Sequence, residues 1–214
     1  MIKKKEYLKI NNNWEFDKKV SKAFDDHVIQ SIPLYKTFQK QIAQISQFYL
    51  KDNSLIYDLG CSTGNYIKEI DKIKNKNLHI IGIDTSDTMI KIAKEKTKKI
   101  KKNKIEFIKD NILEIDFKKS DLIICTLVLP FLNYHEQIKL LKKINSSLKK
   151  NGVAIFLNKS ISNYSHFENI FNQLYYDFKL SQNISADDIL KKTKSLRTAH
   201  SLNSTLNDHK LFKI

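Results

Sequence analysis

The stretch Leu55–Gly64, LIYDLGCSTG, predicts the fold of the whole chain. Leu55 to Asp58 has the composition of a short buried strand, and it runs directly into a turn at residues 60–64. Two of the chain's four glycines, Gly60 and Gly64, stand in this turn, where the lack of a Cβ lets the backbone turn tightly and approach a ligand. Strand, glycine-containing turn and helix start are typical of a nucleotide site in a doubly wound α/β domain.

The spacing of the acidic residue and the glycines indicates which nucleotide the turn would bind. A dinucleotide fingerprint requires G-x-G-x-x-G, whereas this turn reads D-x-G-x-x-x-G from Asp58 to Gly64. That form resembles the first motif of the S-adenosylmethionine-dependent methyltransferases. The methionine part of this molecule carries an ammonium group and a sulfonium, which a nearby carboxylate stabilises, whereas an anionic pyrophosphate favours a bare helix N-terminus. The alternative is a plain strand–turn–helix corner without a ligand.

Length and composition favour one α/β domain with additional helices. The chain has 214 residues, of which 41% are hydrophobic, and no segment approaches the roughly 20 apolar residues of a membrane span. Residues 1–13 are polar, so we expect a mobile N-terminus and no signal peptide. Cys61 and Cys125 are the only cysteines, which favours a reducing, cytoplasmic location without a disulfide framework.

The net charge of +15 would suit a protein that binds nucleic acid directly. Two observations oppose this interpretation. Arg197 is the only arginine among 38 basic residues, although phosphate and base recognition usually depends on the planar guanidinium. The lysines are also scattered through predicted helices, as on solvated faces. We therefore do not expect direct RNA binding, which stays the alternative interpretation of the charge.

Strand and helix patterns alternate after residue 54, which predicts a mostly parallel, Rossmann-like sheet. We expect one domain over residues 14–214, with a helical cover at 14–50, the core at 54–158 and a helical region at 160–214. No convincing strand pattern follows residue 160, so the final strand hairpin that usually closes such a sheet is expected to be missing. The predicted strands are Leu55–Asp58, Leu78–Ile83, Lys104–Ile108, Asp121–Leu129 and Val153–Leu157.

Apolar spacing predicts the helices and the faces that they bury. A helix from Leu34 to about Leu50 is expected to bury a face formed by Phe38, Ile42, Ile45 and Tyr49. Another helix, from Tyr134 to Lys149, is expected to end in a C-cap turn at Asn151-Gly152.

Polar residues after the second and third strands complete the candidate ligand site. Asp84 closes the second strand, 24 positions after Gly60, where a carboxylate accepts hydrogen bonds from both ribose hydroxyls in nucleotide sites of this kind. Asp110-Asn111 follow the third strand, and in the methyltransferase pattern that the turn resembles, a carboxylate and a backbone N–H at this position meet the adenine edge. The alternatives are a turn or helix-capping role for Asp84 and an ordinary turn at Asp110-Asn111.

Neither a metal site nor a protein nucleophile is predicted. The six histidines show no metal-ligand spacing. The position of Cys61 inside the turn favours a small packing residue over a nucleophile.

Several sequence strings along the chain show a more specific resemblance. W-x-F-D-x-x-V-x-x-x-F begins at Trp14 and S-I-P-x-Y ends at Tyr35, and together they resemble the N-terminal signature of the bacterial carboxy-S-adenosylmethionine synthases. Those proteins also have a Y-D-L-G-C-S-x-G turn, as at Tyr57–Gly64, and an I-D-x-S-x-x-M-I run, as at Ile83–Ile90. Their F-N-x-x-x-x-D-F-K helix is matched at Phe171–Lys179.

The resemblance implies a cytoplasmic transferase that carboxylates the methyl group of S-adenosylmethionine. The family uses prephenate for this step and produces carboxy-S-adenosylmethionine and phenylpyruvate. It implies a homodimer, and a separate enzyme that places the carboxymethyl group on a tRNA wobble uridine. The resemblance also implies which residues contact the ligand. Gly60, Cys61 and Ser62 would contact the methionine part, and Asp84 and Thr85 the ribose. Asp110 and Asn111 would contact the adenine, and Tyr35 the carboxylated end.

Two substitutions depart from the family pattern. The family has Asn after the fourth strand, where this chain has Thr126. The family's carboxylate-binding Arg, in a C-terminal helix, corresponds to Thr193, and the loss of a bidentate fork weakens recognition of a carboxylate. Our hypothesis is that Arg197, or Lys192 or Lys194, substitutes for that arginine; the alternative is a solvated basic face.

Two other functions remain open from the sequence. One is an ordinary methyltransferase that acts on a small molecule or on tRNA, against which the specific N-terminal signature argues. The other is a decayed, non-catalytic S-adenosylmethionine-binding protein, which the lost Arg and Asn and the missing hairpin would explain.

Overall fold

The structure, a computed structural model, describes residues 18–73 and 77–196, with side chains from residue 24 onward. In chain order its elements are α1 (Lys18–Ser31), α2 (Tyr35–Ser46), β1 (Leu55–Leu59), α3 (Asn65–Ile70), β2 (His79–Asp84), α4 (Asp87–Thr97), β3 (Lys104–Lys109), β4 (Ser120–Thr126), α5 (Tyr134–Ser147), β5 (Leu148–Leu157), α6 (Ser165–Ser181) and α7 (Ala186–Leu196).

The five strands form one parallel sheet in the order β3-β2-β1-β4-β5. β1 lies at the centre, between β2 and β4, with Tyr57 opposite Ile81 on one side and Ile123 on the other. The chain reverses its direction across the sheet between β3 and β4, which creates the switch point where ligands bind in such folds. The predicted α/β fold class with a mostly parallel, Rossmann-like sheet is therefore confirmed.

Helices cover both faces of the sheet because successive strand residues point to opposite sides. On one face Ile56 and Ile80 pack with Ile42 of α2 and Tyr66 of α3. On the other face the strands pack against Leu140 and Ile144 of α5, through Tyr57, Leu59 and Ile123. Two apolar layers thus hold the central strands rigidly, which fixes the positions of the residues at their carboxyl ends.

The buried face of α2 differs from the one predicted. Ile42 is buried, but Ile45 and Tyr49 are 48% and 46% exposed, so this prediction was wrong for those two residues. The buried face instead includes the polar residues Gln39 and Ser46. Ser46 Oγ lies 2.8 Å from the Tyr66 hydroxyl, and this hydrogen bond allows a polar side chain into the core.

The boundaries around β4 and α5 also differ from prediction. β4 ends at Thr126, and Leu127 adopts a positive φ of 58° before a 3₁₀ turn at Leu129–Phe131. α5 ends at Ser147, so the predicted C-cap at Asn151-Gly152 was wrong. Those two residues lie inside β5, where Asn151 has φ 68° and the register shifts, which is the geometry of a bulge.

The C-terminal helical region is present as α6 and α7, and between residues 158 and 196 no further strand joins the sheet. β5 therefore forms one edge of the sheet within the described residues. Several predictions lie outside those residues: the mobile segment 1–13, the start of the N-terminal signature at Trp14, and Arg197.

Candidate active site

The turn at residues 60–64 lies at the carboxyl end of β1, where the sequence placed it. Gly60 and Gly64 both adopt positive φ, 69° and 74°. A Cβ added at Gly60 would collide with Cγ2 of Val128, which comes from the segment after β4. Only glycine fits at this position, because both the backbone conformation and the close approach of the β4 segment exclude a side chain.

Asp84 at the end of β2 holds the turn in place. Its Oδ2 accepts a hydrogen bond from the Ser62 N–H at 2.9 Å, and its Oδ1 accepts one from the Ser86 N–H at 2.8 Å. Burial raises the pKa of Asp84, although the N–H groups of Ser86, Ser62 and Thr85 oppose the shift. Each carboxylate oxygen has two lone pairs, so Asp84 keeps acceptor capacity for ribose hydroxyls.

Asp58 is the most unusual polar group at this edge. It is 2% exposed, and its Oδ2 is buried without a hydrogen-bond partner. Burial and the charge of Asp84 raise the pKa of Asp58 to about 8. A buried carboxylate without a partner is costly, and a cation with several N–H donors would satisfy it. The ammonium of the methionine part of S-adenosylmethionine is such a group, so the residues present fit this molecule.

Cys61 contributes its backbone, not its thiol, to the turn. Its N–H donates to the Ile83 carbonyl at 2.9 Å, while its Sγ packs so closely on Gly82 that a Cβ there would lie 2.9 Å from the sulfur. Burial raises the pKa of the Cys61 thiol well above its ordinary value. A buried, protonated thiol is inert, which agrees with a packing role.

The residues predicted for the adenine and ribose lie at the same edge. The Asp110 N–H donates to the Asp84 carbonyl at 3.2 Å, which ties β3 to β2 at their ends. Asp110 Oδ1 accepts from the Asn111 N–H at 2.7 Å, and Asn111 Oδ1 accepts from the Leu113 N–H at 3.0 Å. Thr85, Asp110 and Asn111 are exposed. The structure thus brings these residues to one edge, with local turn bonds that leave lone pairs available.

Tyr35 reaches the site from the start of α2. The side chains of Asn65 and Gln39 are neighbours of its hydroxyl. Burial raises the pKa of Tyr35 to about 12, and the charges of Asp25 and Asp58 act in the same direction. Tyr35 is therefore a neutral hydrogen-bonding group beside the turn, and the structure brings it together with the other predicted residues.

A polar cluster that the sequence did not predict joins α1 and α4 to the turn. Asp25 accepts hydrogen bonds from Thr63 Oγ1 at 2.6 Å and from Asn65 Nδ2 at 2.8 Å, and it forms an ion pair with Lys96. Lys96 Nζ also donates to Thr63 Oγ1 at 2.9 Å and to Asn65 Oδ1 at 3.0 Å. No local signal in the sequence identifies Asp25. We call these four residues the Asp25 cluster.

The two departures from the family pattern occupy different environments. Thr126 is half-buried at the end of β4, beside Leu157 of β5. The Thr193 hydroxyl donates to the Ile189 carbonyl of its own helix at 2.8 Å. This hydrogen bond satisfies the Thr193 donor locally, so Thr193 does not replace a guanidinium. Arg197 lies outside the described residues, and its proposed role stays a prediction.

Within residues 18–73 and 77–196, no group of three or more His, Cys, Asp or Glu side chains could hold a metal ion. In the same part of the chain, no helix is long and apolar enough to cross a membrane.

Comparison with known proteins agrees with this geometry. A methyltransferase domain family matches residues 50–207. A carboxy-S-adenosyl-L-methionine synthase of Sulfurimonas denitrificans is 36% identical over 187 residues, which cover 87% of this chain and 79% of that protein. The chain belongs to the carboxy-S-adenosyl-L-methionine synthase family. This membership confirms the resemblance, and with it the assignment to the S-adenosylmethionine-dependent transferases.

More distant members and structures extend the same result. The carboxy-S-adenosyl-L-methionine synthase of Staphylococcus epidermidis is 31% identical over 86% of this chain and 80% of its own length. Among solved structures, an S-adenosylmethionine-dependent methyltransferase from Clostridium acetobutylicum superposes with a TM-score of 0.54 and 25% identity, over 66% of this chain and 57% of that one. The matches to the synthases therefore extend over most of this chain and about four fifths of the relatives, and the methyltransferase fold extends beyond the family.

Proposed function

We propose that this chain converts S-adenosylmethionine into carboxy-S-adenosylmethionine, with prephenate as the source of the carboxyl group. Membership in the carboxy-S-adenosyl-L-methionine synthase family carries the proposal. The unpartnered carboxylate of Asp58 independently supports the binding of S-adenosylmethionine, because its ammonium would supply the missing donors.

In the proposed reaction, prephenate loses carbon dioxide and hydroxide and becomes phenylpyruvate. The sulfonium makes its methyl group acidic, the hydroxide takes one methyl proton to form water, and the methyl carbon forms a bond to the carbon dioxide. Atoms and charge balance without an oxidant, a reductant or a protein nucleophile. The protein therefore has to hold two small molecules together and exclude water, which alone lowers a barrier strongly.

Each predicted site residue has a role in this arrangement. Asp58 would hold the ammonium, and the backbone of Gly60, Cys61 and Ser62 would cradle the methionine part. Asp84 and Thr85 would bind the ribose, and Asp110 and Asn111 the adenine. Tyr35, a half-buried neutral phenol, would donate a hydrogen bond to the new carboxylate.

The wider setting of the reaction is proposed from the same resemblance. The product would pass to a separate enzyme that carboxymethylates a tRNA wobble uridine, so this chain itself would not bind RNA. We propose a cytoplasmic location, a single domain over residues 14–214 and a homodimer. The exposed apolar side chains of Phe167, Phe171 and Leu174 on α6 support a self-association surface, which light scattering on purified protein would test.

The test of the activity is a reaction of purified protein with S-adenosylmethionine and prephenate, analysed by mass spectrometry. We expect carboxy-S-adenosylmethionine and phenylpyruvate in equal amounts, and neither product when prephenate is left out. Formation of S-adenosylhomocysteine with a methylated acceptor would instead indicate an ordinary methyltransferase. Absence of any product, with no binding of S-adenosylmethionine, would indicate a non-catalytic protein.

A further inference from the structure

The first half of α2 carries a glutamine whose environment does not suit a glutamine. Gln39 is only 5% exposed, and its Oε1 is buried without a hydrogen-bond partner among the residues that the structure describes. A buried amide oxygen that accepts no hydrogen bond destabilises a protein, because folding removes the water that it bonded in the unfolded chain. Gln39 therefore calls for a hydrogen-bond donor from outside the chain.

The direction of α2 brings Gln39 to the level of Asp58. Residues 47–54 connect the end of α2 to the start of β1, so α2 runs back along β1 and its first turn lies at the carboxyl end of that strand. Lower down, Ile42 packs with Ile56. Gln39 lies one helical turn before Ile42, and Asp58 lies two residues after Ile56 on the same face of the sheet. Both steps lead to the edge that carries the candidate active site.

Tyr35 provides a second link between Gln39 and the candidate active site. It begins α2 four residues before Gln39, on the same face of the helix. The side chain of Gln39 is a neighbour of the Tyr35 hydroxyl, and the charge of Asp58 acts on the same hydroxyl. Asn65, the other neighbour of this hydroxyl, begins α3 directly after the turn at residues 60–64. Gln39 thus lies among the residues predicted to contact the ligand.

Gln39 Oε1 and Asp58 Oδ2 have the same chemical requirement. Both are buried acceptors, and within residues 18–73 and 77–196 neither atom receives a hydrogen bond. One acceptor cannot satisfy another, so the two oxygens need donors. A primary ammonium carries three N–H donors and can bond both oxygens at once. The pair therefore favours a cation with several N–H groups and disfavours an anion.

We propose that Gln39 is a ligand-contacting residue, whose Oε1 accepts a hydrogen bond from the ammonium of S-adenosylmethionine. This inference rests on the part of the proposed function in which Asp58 holds that ammonium. Asp58 supplies the negative charge, and Gln39 supplies a second, neutral acceptor that fixes the direction of the N–H groups. Gln39 thereby selects ligands that have the amino group, and its place on α2 ties ligand binding to the helical cover.

The first experiment compares two ligands by calorimetry. S-adenosylhomocysteine has the ammonium, whereas methylthioadenosine lacks the whole amino-acid part. Each is titrated into the wild-type chain, into Gln39→Met, which keeps an unbranched side chain without an amide, and into Gln41→Met. The last is the matched control, because Gln41 is exposed on the same helix. We expect Gln39→Met to bind S-adenosylhomocysteine about tenfold more weakly and methylthioadenosine equally well, and the control to bind both as the wild type does.

Two further measurements separate a ligand contact from a structural role. Gln39→Glu has an oxygen at both positions of the amide, so it should recover most of the affinity for S-adenosylhomocysteine that Gln39→Met loses. In the unliganded chain, Gln39→Met should leave Tm unchanged or raise it, because the substitution removes a buried oxygen without a partner. A glutamine needed for packing would instead lower Tm when it is replaced.

Several outcomes would overturn the role of Gln39. One is an equal affinity of wild type and Gln39→Met for S-adenosylhomocysteine, which is also the result expected if an ordered water bonds the two oxygens. Another is an equal loss of affinity for both ligands, or a lower Tm in Gln39→Met, because either shows a general effect on the fold of the site. Failure of Gln39→Glu to recover affinity would count in the same way.

Activity measurements distinguish this inference from the proposed function. If the loss in Gln39→Met is confined to S-adenosylhomocysteine, but the wild type forms no carboxy-S-adenosylmethionine with prephenate, the contact of Gln39 stands and the proposed function is wrong. If carboxy-S-adenosylmethionine forms and Gln39→Met has an unchanged KM for S-adenosylmethionine, the proposed function stands and the contact of Gln39 is wrong.

Discussion

Asp25→Asn is expected to lower the free energy of unfolding and to weaken binding of S-adenosylmethionine. The substitution keeps the shape of the side chain but removes the charge that pairs with Lys96 and accepts from Thr63 and Asn65. Hydrogen bonds to charged groups contribute about 1.5–3 kcal/mol each, and breaking a fully buried ion pair costs about 3–5 kcal/mol. The Asp25 and Lys96 side chains are 32% and 23% exposed, which reduces the effect, so we expect a loss of about 2–3 kcal/mol.

Thermal and chemical denaturation would measure this loss. For a chain of this size, a change of about 1 kcal/mol shifts Tm by about 2–4 °C, so Tm should fall by roughly 5–10 °C. Lys98→Met is the control: Lys98 pairs with Glu95 on the surface, with the two side chains 61% and 71% exposed, and its loss should cost less than about 0.5 kcal/mol. The affinity for S-adenosylmethionine should fall about tenfold, because Thr63 and Asn65 no longer anchor the turn to α1.

The same loss should depend on pH. Burial alone would raise the pKa of Asp25, but the hydrogen bonds from Lys96, Thr63 and Asn65 hold it below its ordinary value of 3.8. A carboxylate whose pKa is lowered on folding stabilises the protein above the pKa of the unfolded chain and loses that contribution as the pH falls through the folded value. The difference between wild type and Asp25→Asn should therefore be complete at neutral pH and shrink below about pH 4.

A double-mutant cycle with Lys96→Met would decide whether the ion pair is the cause. The coupling energy between the two substitutions should be at least about 1 kcal/mol, as for residues in direct contact. A coupling energy near zero, or a loss in Asp25→Asn no larger than that in Lys98→Met, would refute this reasoning.

Three further predictions concern single residues of the site. Asp58→Asn should weaken S-adenosylmethionine binding about 10–100-fold by calorimetry. Because the pKa of Asp58 in the folded chain is raised to about 8, the free energy of unfolding of the unliganded wild type should fall as the pH rises towards and through 8. The variant should not show this fall. Gly60→Ala should lower the free energy of unfolding by about 2 kcal/mol or more in denaturant melts, because of the positive φ at this position and the collision of a Cβ with Val128. Adding Val128→Ala to this variant should recover part of the lost free energy. A free energy of unfolding equal to that of the wild type in Gly60→Ala would count against the close packing. Thr193→Ala should change neither stability by more than about 0.5 kcal/mol nor the rate of product formation, since its hydroxyl donates to the Ile189 carbonyl of its own helix. A large loss of rate would show that Thr193 contacts a ligand.

The central strand, the turn and the residues at the strand ends could be predicted because their signals are local. Asp58, Gly60 and Asp84 each stand at a fixed distance from a strand end, and parallel strands bring their carboxyl ends to one edge. The alternation of strand and helix predicted a mostly parallel sheet, whereas the order of the strands came only from the structure. The structure accordingly brings these residues, which are far apart in the chain, to one edge of the sheet.

The predictions that failed concern residues whose environment is set by distant partners. Ser46 is buried because it bonds Tyr66, 20 residues away, and a polar residue at that spacing otherwise indicates an exposed face. The Asp25 cluster joins Asp25 to Lys96, 71 residues apart. Lys179 is only 5% exposed, although a lysine on a predicted helix indicates a solvated charge, because no local signal shows that its ammonium lies over the Tyr175 ring. The predicted end of α5 was wrong for another reason. A leucine such as Leu148 is compatible with the end of a helix and with the start of a strand.

The most direct test of the central claim is mass spectrometry of the small molecule released from purified, denatured protein, followed by the same analysis after incubation with S-adenosylmethionine and prephenate. The account predicts carboxy-S-adenosylmethionine, heavier than S-adenosylmethionine by one carbon dioxide, and an increase in its amount only when both substrates are present. Recovery of S-adenosylmethionine or S-adenosylhomocysteine alone, with no carboxylated product after incubation, would contradict it.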